Sequence, residues 1–460
     1  MVFLQMGMKQ TMKAVFFLMM IWWISFAVPS AAGGEKQVVD LREAVLAALQ
    51  GNHQLLARMS EVQASKADIG IAAGNMRPSV MIEERYLRTA NPTYAFMAKL
   101  NQERFAATDF AVDSLNNPDP VNDFQTAFSL EQPIFVREAR IGEEMAGKQA
   151  EAMELQYRRT REEIALEVVK AYLGVRTSRE FVAVAEKGVE DAKEHARIAE
   201  LRHANGLGLY SDILRAKTAL AEAEQRLVSA VKNHAVARKG LGLLLGVSEP
   251  LDAGPENIDL PLRELGYYSE AASRRHDVQA MEARHDNAQK SLELAGAGFL
   301  PTLAVGGTYQ LNDHDDLFGA EGESWQVAAV ARWRLYDGGK RQYEKVKARH
   351  RIAESREHLE GLKKMVDFKV YEAYLGVEEA GKNLELAEAS LAMAEEGQRL
   401  VRVRFENSLS QLVDLLDVQA VLDNSRAVVV SRENNYLFSK VVLSCESGTI
   451  LRDLGVDGGK

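Results

Sequence analysis

Two carboxylates three residues apart, Asp414 and Asp417 in the stretch VDLLD, are the residues of this 460-residue sequence best placed to do chemistry. That spacing puts both on one face of a helix. At the start of a helix they suit the positive end of its dipole; ringed around a passage they attract cations and repel anions. The other candidates are poorer. KGLGLLLG (Lys239–Gly246) has the glycines of a phosphate loop, but it ends a helix, follows no strand and lacks the required Lys-Ser/Thr pair. His314, Asp315 and Asp316 fall together in a loop and could hold a cation weakly. The nine histidines show no zinc-protease spacing, and one cysteine, Cys445, excludes an intrachain disulfide and a multi-cysteine zinc site. No nucleophile and base stand at catalytic spacing. The expectation is a protein that is not an enzyme and holds no cofactor or metal. A net charge of −10 argues against a nucleic-acid partner.

The elements that must carry the carboxylates come in two copies. AYLGV occurs at Ala171–Val175 and again at Ala373–Val377, and the same offset pairs Arg202 with Arg404, Asn205 with Asn407, Asp212 with Asp414 and Leu214 with Leu416. This is an internal duplication. No proline stands between Pro133 and Pro250 or after Pro301. Uninterrupted helices are therefore predicted from about Arg137 to Ala204 and from about Lys340 to Glu406, each about 100 Å long. Apolar periodicity sustained over such lengths implies coiled-coil packing. Breaks at ANGLGLYSD (Ala204–Asp212) and ENSLSQLVD (Glu406–Asp414) turn each helix back on itself. Gly206 and Gly208 favour a tight reversal more than Asn407, Ser408 and Ser410 do. The return helices run to about Leu245 and Leu443. In AYLGV, Tyr172 and Tyr374 are expected to pack at matching heights, and Gly174 and Gly376 to admit a close helix neighbour.

Before each long helix the texture alternates in twos. TLAVGGTYQL (Thr302–Leu311) and WQVAAVARWRL (Trp325–Leu335) each carry one greasy and one wetter face. Ser79–Thr89 and Phe124–Ile134 match them in the first half, though Glu83, Glu84 and Arg85 spoil the alternation of the former. About ten residues with aromatic ends suit a transmembrane barrel strand. Four strands cannot close a barrel, and open edges are untenable in lipid, so several copies must share one. At the amino terminus, Lys9 and Lys13, an apolar run from Ala14 to Val28 and the small residues after it describe a secretory signal ending near Ala32.

In this ordered set the chain resembles the TolC family of outer-membrane efflux and secretion channels. RPSV and LPTL precede the strand pairs, QPIF and RLYDGGKR follow them, and NGLGLYSDIL and NSLSQLVDLLD form the tips. VREAR after Phe135 departs from the DGG turn of the family. The resemblance implies a mainly α fold with a small membrane β part. Duplicated helical hairpins would build a trimeric α-barrel, with four strands per chain in a shared 12-stranded β-barrel. The expected organisation is a signal peptide at 1–32, a first repeat at 33–246, a linker at 247–265, a second repeat at 266–447 and a tail at 448–460. The resemblance also implies a passive duct in the outer membrane of a Gram-negative bacterium, with a long periplasmic extension. A periplasmic adaptor would open it and couple it to an inner-membrane pump. Three copies of Asp414 and Asp417 would ring the periplasmic constriction, where crowding raises carboxylate pKa values. Gly206, Leu207, Ser211, Ser408, Leu409 and Ser410 would dock the adaptor. The rivals are a periplasmic adaptor, which should carry one hairpin between lipoyl-like halves, and a soluble coiled-coil scaffold.

Overall fold

A computed structural model describes residues 38–255 and 260–456; the secretory signal read at 1–32 lies outside the described residues. Strand β1 (Val38–Val39) leads into helices α1 (Leu41–Gly51) and α2 (His53–Gly74) and then strand β2 (Ser79–Thr89). The next connection carries α3 (Pro92–Asn101), a 3-10 turn (Ala107–Phe110) and α4 (Val112–Asn116) before β3 (Val121–Phe135). The first hairpin is α5 (Arg137–Ala204) with α6 (Tyr210–Leu244). After β4 (Asp252–Ala253) come α7 (Leu265–Ala272), α8 (His276–Ala297), β5 (Thr302–Asp313) and β6 (Gly322–Arg332). The second hairpin is α9 (Lys340–Glu406) with α10 (Leu412–Glu446), and α11 (Ile450–Asp453) follows. The duplication is metric: the long helices hold 68 and 67 residues, and both return helices hold 35.

The main sheet runs β2-β3-β5-β6, every pair antiparallel. Its register lines up the greasy faces read from each strand alone. Ile82, Phe128, Tyr309 and Trp325 form one cross-strand row, and Val80, Leu130, Gly307 and Val327 the next. Met81, Ser129, Thr308 and Gln326 form a row on the opposite, wetter face, where the Ser129 and Thr308 hydroxyls lie 3.3 Å apart. Glu83 and Arg85, which blurred the pattern, fall on that wet face, and Arg85 donates to Gln125. Only Glu84 is on the greasy side, where the Thr126 hydroxyl donates to its carboxylate. The last strand begins earlier than expected and stops at Arg332. Trp333 and Leu335 lie beyond it, and the Trp333 indole N–H donates to the Phe299 carbonyl 3.1 Å away.

The two halves build two similar cores from equivalent positions. Ile164, Val168, Tyr172 and Val175 are buried in one; Val366, Val370, Tyr374 and Val377 serve the other. They differ in what covers them. Tyr172 is fully buried, its hydroxyl donating to the Gly254 carbonyl at 3.2 Å, so the segment between the halves is fastened to it. β4 also pairs in parallel with β1. Tyr374 is only half-buried, its ring 6.4 Å from that of Tyr268. The close approach expected at Gly174 and Gly376 is not realised within the chain. A Cβ at either would meet no other atom within 4 Å, because both glycines face outward from these cores.

One buried charge cluster ties the halves together. Arg159 donates to Glu162 at 2.9 Å and to the Cys445 carbonyl at 2.8 Å, while Glu162 meets His276 Nδ1 at 2.6 Å. Next to it Arg275 grips Asp277 and Glu446. Burial pushes up the Asp277 pKa, but the Arg275 guanidinium outweighs that and holds it below the usual carboxylate value.

Candidate functional site at the hairpin tips

Both turns solve the same problem in the same way. A helix end leaves carbonyls unpaired, and a left-handed residue lets the chain fold back to satisfy them. Gly206 takes φ +72° and Ser408 φ +63°. Leu207 N–H donates to the Arg202 carbonyl and Leu409 N–H to the Arg404 carbonyl, both at 2.8 Å. The leucines that follow the reversals stay out in solvent, 64% exposed at Leu207 and 68% at Leu409. Gly206, Ser211 and Ser408 are exposed beside them; Ser410 is partly covered, its hydroxyl facing the Val401 carbonyl at 3.4 Å. A side chain at φ +63° is strained, by about 1 kcal/mol in the left-handed region. Ser408→Gly is therefore expected to slow amide exchange at the second tip roughly two- to fivefold. Unchanged exchange in that variant would show that the turn carries no such strain.

The two tips are in contact. The Arg202 guanidinium donates to the Phe405 carbonyl and its carbon stands 4.4 Å from the centre of the Phe405 ring. Ala196, Ala199 and Ala216 from the first hairpin bury against Phe405, Leu412 and Leu415 of the second.

Asp414 and Asp417 share a helix face as expected, but they are not equivalent. The Asp414 carboxylate accepts the Gln411 N–H at 3.0 Å and so caps its own helix, as Asp212 does for Leu209 at 3.3 Å. Asp417 is exposed and, among the described residues, has no ion-pair partner. It lines a groove of about 620 Å³ between the two return helices, with Arg215, Glu222 and Arg226 across from it.

The same groove is also lined by a polar knot that the sequence reading missed. The Gln419 amide donates to Asp191 at 3.1 Å and to Asp423 at 2.9 Å. That fixes its oxygen as an acceptor, facing Gln398 at 3.0 Å and His195 Nε2 at 3.3 Å. The buried His195 is thereby assigned its proton on Nε2. Burial raises the Asp423 pKa above the usual carboxylate value despite Gln419, Arg226 and Arg426 beside it. Duplication could not reveal this knot, because Met393 and Gly397 stand at the positions equivalent to Asp191 and His195.

The β5–β6 connection gathers Asp313, His314 and Glu321, with Asp315 beside them. Both His314 ring nitrogens meet carboxylates, Asp315 at 2.8 Å and Glu321 at 2.6 Å, and Asp313 accepts the amides of Asp315 and Asp316. Asp316 contributes a backbone amide where a ligand was expected, and the group satisfies itself.

Residues 45–247 and 267–444 match the sequence profile of the family described as outer membrane efflux protein, which covers well over half of the chain. The chain belongs to the outer membrane efflux protein family. As a member of that family it is an outer-membrane protein. Protein CyaE of Bordetella pertussis is 29% identical over 234 residues, 49% of this chain and 48% of that protein. The pyoverdine export outer membrane protein OpmQ of Pseudomonas aeruginosa is 24% identical over 293 residues, 62% of this chain and 56% of that protein. The chain thus spans about half the length of the relatives it matches. In fold it is similar to the Campylobacter jejuni CmeC outer membrane channel, with a TM-score of 0.74 at 16% identity, over 92% of this chain and 91% of that one. Among the described residues no helix is long and apolar enough to cross a membrane.

Proposed function

We propose that three copies of this efflux-family chain form one passive exit duct through the outer membrane, their sheets joined into a single twelve-stranded barrel. The observation that carries this reading is the four-stranded sheet, whose greasy face is continuous from edge to edge while, among the described residues, both β2 and β6 end it without a further partner strand. In lipid those edges need neighbours, and another copy supplies them. The helical hairpins continue the passage toward the periplasm. There the exposed Leu207 and Leu409 knobs, with Gly206, Ser211, Ser408 and Ser410, receive the hairpin of a periplasmic adaptor coupled to an inner-membrane pump. The repeats at 33–246 and 266–447, joined by the linker 247–265, act as two wall segments per chain, and the duct conducts rather than catalyses. Native mass spectrometry on protein extracted from outer membranes tests this: a complex of three chains is expected, and a monomer would sink the shared barrel.

Asp417 gives the duct its preference for cations, and Asp414 mainly secures the helix start. In planar bilayers Asp417→Ala is therefore expected to cut cation preference about two- to fivefold, and Asp414→Ala by less. Equal ion selectivity in the wild type and Asp417→Ala would remove that role.

A further inference from the structure

The 31 residues between β2 and β3 are not a slack loop. α3 begins with Asn91, whose side chain caps the amides of Thr93 and Tyr94, and with Pro92 in the first turn. Lys99 pairs with Asp109 at 2.8 Å, and Phe96, Phe105 and Phe110 stack edge to face in sequence. The unit is pinned to the outer end of the sheet on its wet face. Ala95 and Ala98 bury against Val121. The fully buried Gln102 donates to the Asn122 carbonyl at 2.8 Å and to Asp123 at 2.9 Å, and Asn312 meets the same Asp123 oxygen. At the far side of the sheet the Asn101 carbonyl lies so near Gly322 that a Cβ there would stand 2.0 Å from it. The helix therefore crosses from β3 over β5 to β6.

Its opposite face is apolar and open: Met97 is 51% and Leu100 46% exposed. The proposed duct puts the wet face inward, and this inference rests on that reading. A barrel of twelve strands about 4.8 Å apart, tilted by about 40°, has a backbone radius of about 12 Å. A helix about 10 Å thick laid on its inner wall reaches nearly to the axis. We infer that the Met97 and Leu100 faces of three copies of α3 meet over the barrel axis and cover the outer mouth of the duct. The occupant of this apolar face is thus the same face of another copy. The exit then has a closure of its own, separate from the tips.

The test uses cysteines. Burial pushes the Cys445 thiol up to about 12, so it stays silent. Met97→Cys and Leu100→Cys, in trimers verified by native mass spectrometry, are expected to form disulfides between copies under mild oxidation, which needs Cα atoms within about 7 Å. Gly322→Val, which forces α3 off the wall, should raise single-channel conductance at least about twofold. Verified trimers that form no disulfide, and whose conductance ignores Gly322→Val, would overturn the cover and leave the duct intact. Monomers would overturn both.

Discussion

Arg159→Ala lowers the unfolding free energy by about 3–5 kcal/mol, the expected cost of removing one partner from a buried ion pair. The loss is large because Glu162 is 2% exposed and cannot reach water once its cation is gone. His276 still touches it at 2.6 Å, but the Cys445 carbonyl then loses its charged donor and keeps only the Gly448 N–H at 3.1 Å. Three elements meet at this point: α5 through Arg159 and Glu162, α8 through His276, and α10 through Cys445. Denaturant unfolding of detergent-solubilised protein at fixed concentration measures the effect. Arg159→Met combined with Glu162→Gln should recover much of it, since removing both charges leaves neither one stranded. A loss below about 1 kcal/mol for Arg159→Ala would mean that the cluster is hydrated and the buried-charge argument fails.

The duplicated tyrosines give the second large effect. Tyr172→Ala is expected to cost about 3–5 kcal/mol, as for other fully buried aromatic side chains. Tyr374→Ala should cost less than half of that, because its ring is only half-buried and has already kept part of its contact with water. Tyr172→Phe, which keeps the ring and removes the hydroxyl that donates to the Gly254 carbonyl, should cost about 1 kcal/mol. The same unfolding measurement on the three variants decides it. Equal losses at Tyr172 and Tyr374 would show that the halves are energetically symmetric and that the fastening of the linker contributes nothing.

The fold was legible where local physics and duplication agree. Proline-free runs marked both long helices from Arg137 and Lys340, and alternation marked four strands whose register then aligned. Glu84 shows the limit of alternation: a carboxylate on a greasy face is tolerated because Thr126, distant in sequence, donates to it. α3 had readable signals in Asn91 and Pro92, an N-cap followed by a first-turn proline. The Asn, Asp and Pro residues of the surrounding segment read as loop instead. At the tips, residue types indicated both reversals and the paired carboxylates. That Asp414 caps its helix while Asp417 faces a groove depends on atoms three residues away and on the other hairpin. No periodicity carries that information. The knot around Gln419 was illegible for a further reason: its partners come from three helices and have no counterpart in the other repeat.

The core of the first half contains Val441, Cys445, Ile450, Leu451 and Val456, residues from the far end of the chain. Its beginning is likewise held by a strand from between the halves, Asp252–Ala253 paired with Val38–Val39. A ribosome that has finished the first repeat has therefore made a piece that cannot yet complete its interior, and must finish the second before either is whole. The duplicated segments are therefore not independent, since the first completes its interior only with residues of the second. A chain cut short by a few dozen residues would lose its last helix and, with it, the integrity of its first repeat.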